Sequence, residues 1–252
     1  MLQTLVDLLA AMTAALAPVG PTPDVDWDYQ LGGVFAPASE VGSVARDRLD
    51  EPLAGAYNVC YVNAFQTQPN EKRFWRGDPD RWRLVLKRQG RAVIDGAWGE
   101  WLLDTRSAAK RRALAGIVDR WMTRCARDGF DGVELDNLDS WDRSRRLISR
   151  ADNRAFAKIL TRRGQAAGLA VAQKNWAELA TAGPALGFDF AVAEECGRYR
   201  ECGAYAAAYG DRVLVAEYRR KDFRRACTRW GDRLSIVLRD RAVSVDGVNR
   251  RC

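Results

Sequence analysis

A chain of 252 residues with 47% hydrophobic content can bury one large core, a size at which α/β barrels form a single domain. The formal net charge is +7, but its 34 arginines and six lysines are scattered in pairs such as Arg111–Arg112 and Arg162–Arg163, with no dense basic run or nucleic-acid motif. There is no histidine, which excludes Ser-His-Asp and Cys-His catalysis, histidine-rich zinc sites and histidine-held haem.

Taken in order, the chain begins with an apolar stretch, Leu2 to Ala17, that ends in Ala15-Leu16-Ala17 like a signal-peptidase site. It is an irregular export signal, because it lacks a basic start, contains Asp7 and is followed by Pro18. Residues 18–26, rich in Pro and Asp, read as a linker, so 1–26 form an N-terminal segment and 27–252 the folded domain. No other run is apolar enough to predict a transmembrane helix.

Short apolar runs then alternate with amphipathic stretches. The predicted strands are Trp27–Gln30, Val44–Asp47, Tyr57–Asn63, Trp101–Asp104, Val133–Asp136, Leu169–Asn175, Phe190–Glu194, Val213–Tyr218 and Ser235–Arg239. Helical spacing predicts helices over Ser107–Arg127, Asn153–Gly168 and Lys221–Trp230. Repeated β-then-α means a parallel sheet, here an α/β barrel of the (β/α)8 TIM type. Nine candidates for eight places put one outside the ring, either one of the first two or the last.

Nearly every candidate ends in polar residues: Asp28 and Gln30, Tyr61 and Asn63, Asp104, Asp136 and Asn137, Lys174 and Asn175, Glu194 and Glu195, Glu217, Arg239 and Asp240. So many at one relative place suggest a shared mouth lined with carboxylates, amides and aromatics. Salt bridging is the alternative for Glu217 and for Arg239 and Asp240. The richest window is Gly129–Trp141, where Asp131, Glu134, Asp136 and Asp139 are threaded through Val133, Leu135 and Leu138. Period two puts Glu134 and Asp136 on one face, and Asp136 stands where the apolar pattern stops. A solvated acidic loop is the competing reading for Asp131 and Asp139.

An internal echo links two strands. Asp131 precedes Asp136 by five positions and Asp189 precedes Glu194 by five, each after a Gly-Phe pair. Two carboxylates facing each other across one mouth are what glycoside hydrolysis requires. Glu194 shares a face with Phe190 and Val192, which leaves Glu195 in reserve for its role.

The six cysteines lack zinc-ribbon spacing. Cys196 and Cys202 can staple one loop, Cys252 can tie the terminus to Cys227, and Cys60 then pairs with Cys125 on the buried face of its helix. Six buried free thiols are the alternative.

The segments W-D-Y-Q-L-G-G (27–33), C-Y-V-N-A-F-Q-T (60–67), L-L-D-T (102–105), D-G-V-E-L-D-N-L-D-S (131–140), A-V-A-Q-K-N (170–175), D-F-A-V-A-E-E-C (189–196) and I-V-L-R-D-R (236–241) together resemble glycoside hydrolase family 114, the endo-α-1,4-polygalactosaminidases. The resemblance runs from about Trp27 to Cys252. It implies an exported TIM-type barrel acting on α-1,4-linked galactosamine-containing polysaccharide, and it matches the catalytic pair to Asp136 as nucleophile and Glu194 as acid/base, with retention. Asp28, Tyr29, Tyr61, Asn63, Asp104, Asn137, Asp139, Lys174, Asn175, Glu195 and Glu217 are then the expected substrate-binding residues. No cofactor, metal, nucleic acid or membrane span is expected, and the enzyme is expected to be a monomer. Rival readings are a Schiff-base lyase or aldolase using Lys174, a divalent-cation site at Asp131, Asp136, Asn137 and Asp139, whose spacing does not match a calcium loop, and an inactive glycan-binding barrel.

Overall fold

Eight short apolar strands, each too buried to face water on either side, line up in parallel around one axis. The computed structural model describes residues 18–252. In chain order the strands are β1 (Trp27–Gln30), β2 (Ser43–Asp47) and β3 (Tyr57–Asn63), then two small hairpins, β4 (Lys87–Arg88) with β5 (Arg91–Ala92) and β6 (Ile94–Asp95) with β7 (Glu100–Trp101). They continue with β8 (Gly132–Asp136), β9 (Ala170–Lys174), β10 (Phe190–Glu194), β11 (Val213–Glu217), β12 (Ser235–Arg239) and β13 (Asn249–Arg251). The main sheet runs β1-β2-β3-β8-β9-β10-β11-β12-β13, parallel throughout except for β13.

The barrel is nearly closed. Across the gap, Arg239 Nη1 donates to Asp28 Oδ1 at 2.8 Å and to the Tyr29 carbonyl, and Val25 N donates to Ser235 Oγ at 3.2 Å. Large and small residues alternate inside, with Phe190 and Tyr57 packed edge to face beside Gly132, where a Cβ would lie 2.9 Å from the Tyr57 hydroxyl. Residues 18–26, expected as a linker, lie against this inner layer: the Tyr57 hydroxyl donates to the Val19 carbonyl at 3.0 Å, and a Cβ on Gly20 would lie 2.9 Å from Phe190 Cβ. The export reading of residues 1–17 falls outside the described residues.

Helices cover the outside where the sequence predicted them. Ala108–Asp128 is capped by Ser107, whose hydroxyl accepts from Lys110 N, and ends at Gly129 with φ +101°. Arg150–Ala166 starts from a reciprocal Ser149–Asp152 capping box, and Arg220–Trp230 follows β11. Their apolar faces meet Val133, Leu135, Val171 and Val215 in the larger core.

The strand outside the ring is neither one of the first two nor the last. It is the predicted Trp101–Asp104 run. Trp101 closes the β6–β7 hairpin, and Leu102 and Leu103 bridge antiparallel to Gln66 and Val85, within the excursion between β3 and the helix that starts at Ala108. Burial of Leu102 and Leu103 against that excursion makes the run as apolar as a barrel strand.

Three disulfides form, Cys60–Cys125, Cys196–Cys202 and Cys227–Cys252, the pairing expected from the sequence. Among the described residues no helix is long and apolar enough to cross a membrane.

Candidate active site

Interior-facing side chains at the carboxyl ends of β8, β9 and β10 converge beneath a cavity of about 620 Å³. Period two aims Glu134 and Asp136, then Lys174, then Glu194 into the barrel axis, because Val133, Leu135, Val171 and Ala191 occupy the alternate, helix-facing positions. The parity of β10 is thereby fixed: Glu194 shares the inner face with Phe190 and Val192, and Glu195 does not.

Lys174 is the hub. Its Nζ lies 2.6 Å from Glu134 Oε1, 3.4 Å from Asp136 Oδ1 and 3.5 Å from Glu194 Oε2, and donates to the Tyr29 hydroxyl at 2.9 Å. Burial alone would release its proton, but the charges of Asp136, Glu134 and Glu194 hold it well above the usual lysine range. It is therefore an ammonium. Burial likewise works to raise Asp136, yet the Lys174 charge, the Tyr61 hydroxyl at 2.7 Å and the Asn137 N–H at 2.7 Å hold it below the usual carboxylate range. Glu134, fully buried, is pushed up to about 7 despite Lys174.

Glu194 is oriented from two sides. Asn175 Nδ2 donates to Oε2 at 3.0 Å, Asn175 Oδ1 accepts from Glu194 N at 2.8 Å, and the Tyr218 hydroxyl donates to Oε1. Burial raises the Tyr29, Tyr61 and Tyr218 hydroxyls well above their ordinary value, so all three remain donors. The side chain of Glu194 is 29% exposed and that of Asp136 17%. The turns behind these residues are strained, since Asn137 (φ +66°), Asn175 (φ +51°), Trp176 (φ +59°) and Glu195 (φ +56°) all take the left-handed region just past a strand end.

Of the residues expected at the mouth, Tyr29, Tyr61, Asp136, Asn137, Asp139, Lys174, Asn175 and Glu194 line the cavity. Asn63 stands just behind it and accepts from Asn137 Nδ2 at 3.0 Å. Four lie elsewhere. Asp28 is fully buried in the barrel seam with Arg239, Asn249 and Gln30. Asp104 follows its run out of the ring, where Arg106 and Lys110 outweigh burial and hold it at about 2. Glu195 is ion-paired with Arg198 at 2.8 Å and Arg241 at 3.0 Å. Glu217 faces outward, accepts from Gly197 N at 2.6 Å and is pushed up to about 7 by burial.

Other carboxylates replace them. Asp47, Asp95 and Glu100 join Asp136, Asp139 and Glu194 on the cavity wall against Lys174, Arg143 and Arg241, so the mouth of this basic chain is acidic. Trp98 on the β6–β7 turn and Tyr218 one residue past β11 also line it. The echo has a structural half: Asp131 accepts from Asn58 N at 2.7 Å and Asp189 from Val171 N at 2.9 Å, each tying the start of its strand to a neighbour. Only the second member of each pair reaches the mouth.

A family model described as glycoside-hydrolase family GH114 matches residues 9–252. Among solved structures, the chain is similar to Aspergillus fumigatus Ega3 in complex with galactosamine, at 20% identity and a TM-score of 0.74, over 94% of this chain and 98% of that one. It is also similar to the glycoside hydrolase domain of PelA from Pseudomonas aeruginosa, at 14% identity and a TM-score of 0.61, over 92% and 100% of the two chains. At these identities the structural likeness shows the fold. No curated protein matches the chain.

Proposed function

The chain belongs to glycoside-hydrolase family GH114, and from that premise we propose that this TIM-type glycoside hydrolase cuts within α-1,4-linked galactosamine-containing chains, with Asp136 as nucleophile and Glu194 as acid/base. One observation carries the assignment: a single buried ammonium, Lys174, stands within 3.5 Å of both carboxylates. The two facing oxygens are thus no further apart than twice that distance. That bound admits the spacing of about 5–5.5 Å that a retaining pair needs, and retention itself is taken from the family resemblance.

The division of roles follows from the surroundings. Asp136, held ionised by Lys174 and Tyr61, attacks the anomeric carbon as the glycosidic bond breaks. Glu194, the more exposed of the two, gives its proton to the leaving oxygen. In the second step Glu194 takes a proton from water, which attacks the anomeric carbon and releases Asp136. The same charges argue against a Schiff-base reading, which needs a neutral amine at Lys174. The galactosamine preference rests on the family resemblance and on the acidic wall, which suits a protonated amino sugar.

Export is part of this reading, with residues 1–17 as signal and 27–252 as catalytic domain. Three disulfides suit an oxidising compartment. The test is incubation of disulfide-intact protein with an α-1,4-galactosamine polymer, reading oligosaccharide masses. Release of internal fragments is expected. Binding without any fragment would leave only a glycan-binding barrel.

A further inference from the structure

The strand order divides the mouth into two unlike arcs. On the β8 side of Lys174, neighbouring β3 and β2, the wall is built from Asp47, Asp95, Glu100 and the indole of Trp98. On the β10 side, neighbouring β11, β12 and β1, it is built from Tyr218, Arg241, Ala242, Val243 and Leu31. The first arc is carboxylate-rich with an exposed aromatic face, Trp98 being 57% exposed at the hairpin tip. Asp95 there is answered by Arg143 at 2.9 Å, but Asp47 has no ion pair within 4.0 Å among the described residues. Its carboxylate only accepts from Leu49 N and Gln68 Nε2. Among the described residues, the second arc has no carboxylate on the cavity wall beyond Glu194. It presents an exposed guanidinium at Arg241, partly answered by Glu195 from behind, and three aliphatic side chains.

This difference has a direction along the substrate. Asp136 stands on the carboxylate-rich side and Glu194 on the Arg241 side. With Glu194 as the acid that faces the leaving oxygen, the leaving sugar lies towards Arg241, and a chain extended across the mouth then carries the sugars on the attacked-carbon side towards Asp47 and Trp98. A protonated amine is attracted by the first arc and can stack its ring on Trp98. Beside Arg241 the same amine is repelled, whereas an N-acetyl group loses the charge and offers a methyl to Leu31, Ala242 and Val243.

We infer that the enzyme reads charge asymmetrically across the bond it cuts, taking free galactosamine on the side of the attacked carbon and an uncharged, N-acetylated sugar on the leaving side. This rests on the proposed substrate class and on the roles of Asp136 and Glu194, and adds the pattern within the polymer. The chemistry that supplies such a substrate is incomplete N-deacetylation of a uniform acetylated chain.

The experiment uses the whole enzyme on a randomly half-acetylated α-1,4-galactosamine polymer. New reducing ends are tagged by borodeuteride, and both ends of each product are sequenced by tandem mass spectrometry. Reducing ends should favour free galactosamine and non-reducing ends N-acetylgalactosamine, each by roughly three- to tenfold, the scale of one or two partly screened charge contacts. Asp47→Asn should shrink the first bias and leave the second, Arg241→Gln the second and leave the first, and added salt should shrink both. Equal composition at the two ends, or the opposite bias, overturns the inference while leaving the polymer reading intact. Absence of any product sinks both.

Discussion

Lys174 and Glu134 form an ion pair sealed beneath the mouth, 2.6 Å from Nζ to Oε1, with 2% and 0% of their side chains exposed. The pair sits under Asp136 and Glu194, the proposed catalytic carboxylates, so Lys174 stands between a buried partner that fixes it and Asp136, whose ionised form it favours. Glu134 Oε2 has no hydrogen-bond partner among the described residues, and burial pushes its carboxyl up to about 7. The site is therefore short of positive charge, a condition under which loss of one cation is felt by every carboxylate around it.

Lys174→Met should accordingly damage both stability and activity. Removing one partner of a buried charge pair costs about 3–5 kcal/mol, and Asp136 loses the charge that most lowers its pKa. The acidic limb of the pH profile of kcat/KM should move to higher pH. Adding Glu134→Gln to Lys174→Met should restore part of the melting temperature, because one stranded carboxylate is removed. A double variant no more stable than the single one would show that the two groups are not coupled.

Glu217 offers a pH test away from the mouth. Burial, with Asp222 and Glu195 adding to it against the Gly197 N–H, pushes its carboxyl up to about 7. A raised carboxyl pKa means that the folded form binds the proton more tightly. Its contribution is full below the unfolded value of about 4.3 and is lost as pH rises through about 7. Glu217→Gln keeps an oxygen for Gly197 N and abolishes the titration, so the variant should gain melting temperature relative to the parent between pH 5 and pH 8. An unchanged difference across that interval would mean that Glu217 does not titrate there.

Much of this was legible because the strands are short, apolar and sharply ended, and because Gly129 and Ser107 mark helix ends in the sequence itself. What failed had a physical reason. A polar residue at a strand end need not face the axis: Trp27 and Tyr29 face inward, so Asp28 cannot, and Leu214 and Ala216 do the same to Glu217. Period two alone could have excluded both. It could also have promoted Glu134, which shares its face with Asp136. Trp98, Asp95 and Glu100 reach the mouth from an excursion outside the barrel rhythm, and nothing local to that hairpin announces where it folds back.

The Cys60–Cys125 bond ties β3 to the helix that precedes β8 across 65 residues. Replacing both cysteines with alanine should lower stability by about 2–4 kcal/mol, since the unfolded chain regains that loop's freedom. Denaturant melts of the variant and parent, both with the other two bonds intact, measure it. Non-reducing peptide maps of the parent should return the three pairs and no alkylatable thiol.

The proposed catalytic pair, Asp136 and Glu194, should separate by substrate. Asp136→Asn and Glu194→Gln each keep shape and remove a charge or a proton, so both should fold. Without Asp136 no covalent intermediate forms, and turnover should vanish for every substrate, including those with activated leaving groups. Without Glu194 the leaving oxygen of a natural chain lacks its proton, and the rate should fall on the order of 10²–10⁴-fold. An aryl glycoside with a good leaving group needs no such proton, so its first step should survive in Glu194→Gln, and azide should then accelerate turnover by attacking the intermediate in place of water. Glu195→Gln should be mild, because its partners are Arg198 and Arg241 rather than the reacting groups. Substantial activity in Asp136→Asn, or a dead Glu195→Gln beside a nearly normal Glu194→Gln, would overturn the assignment.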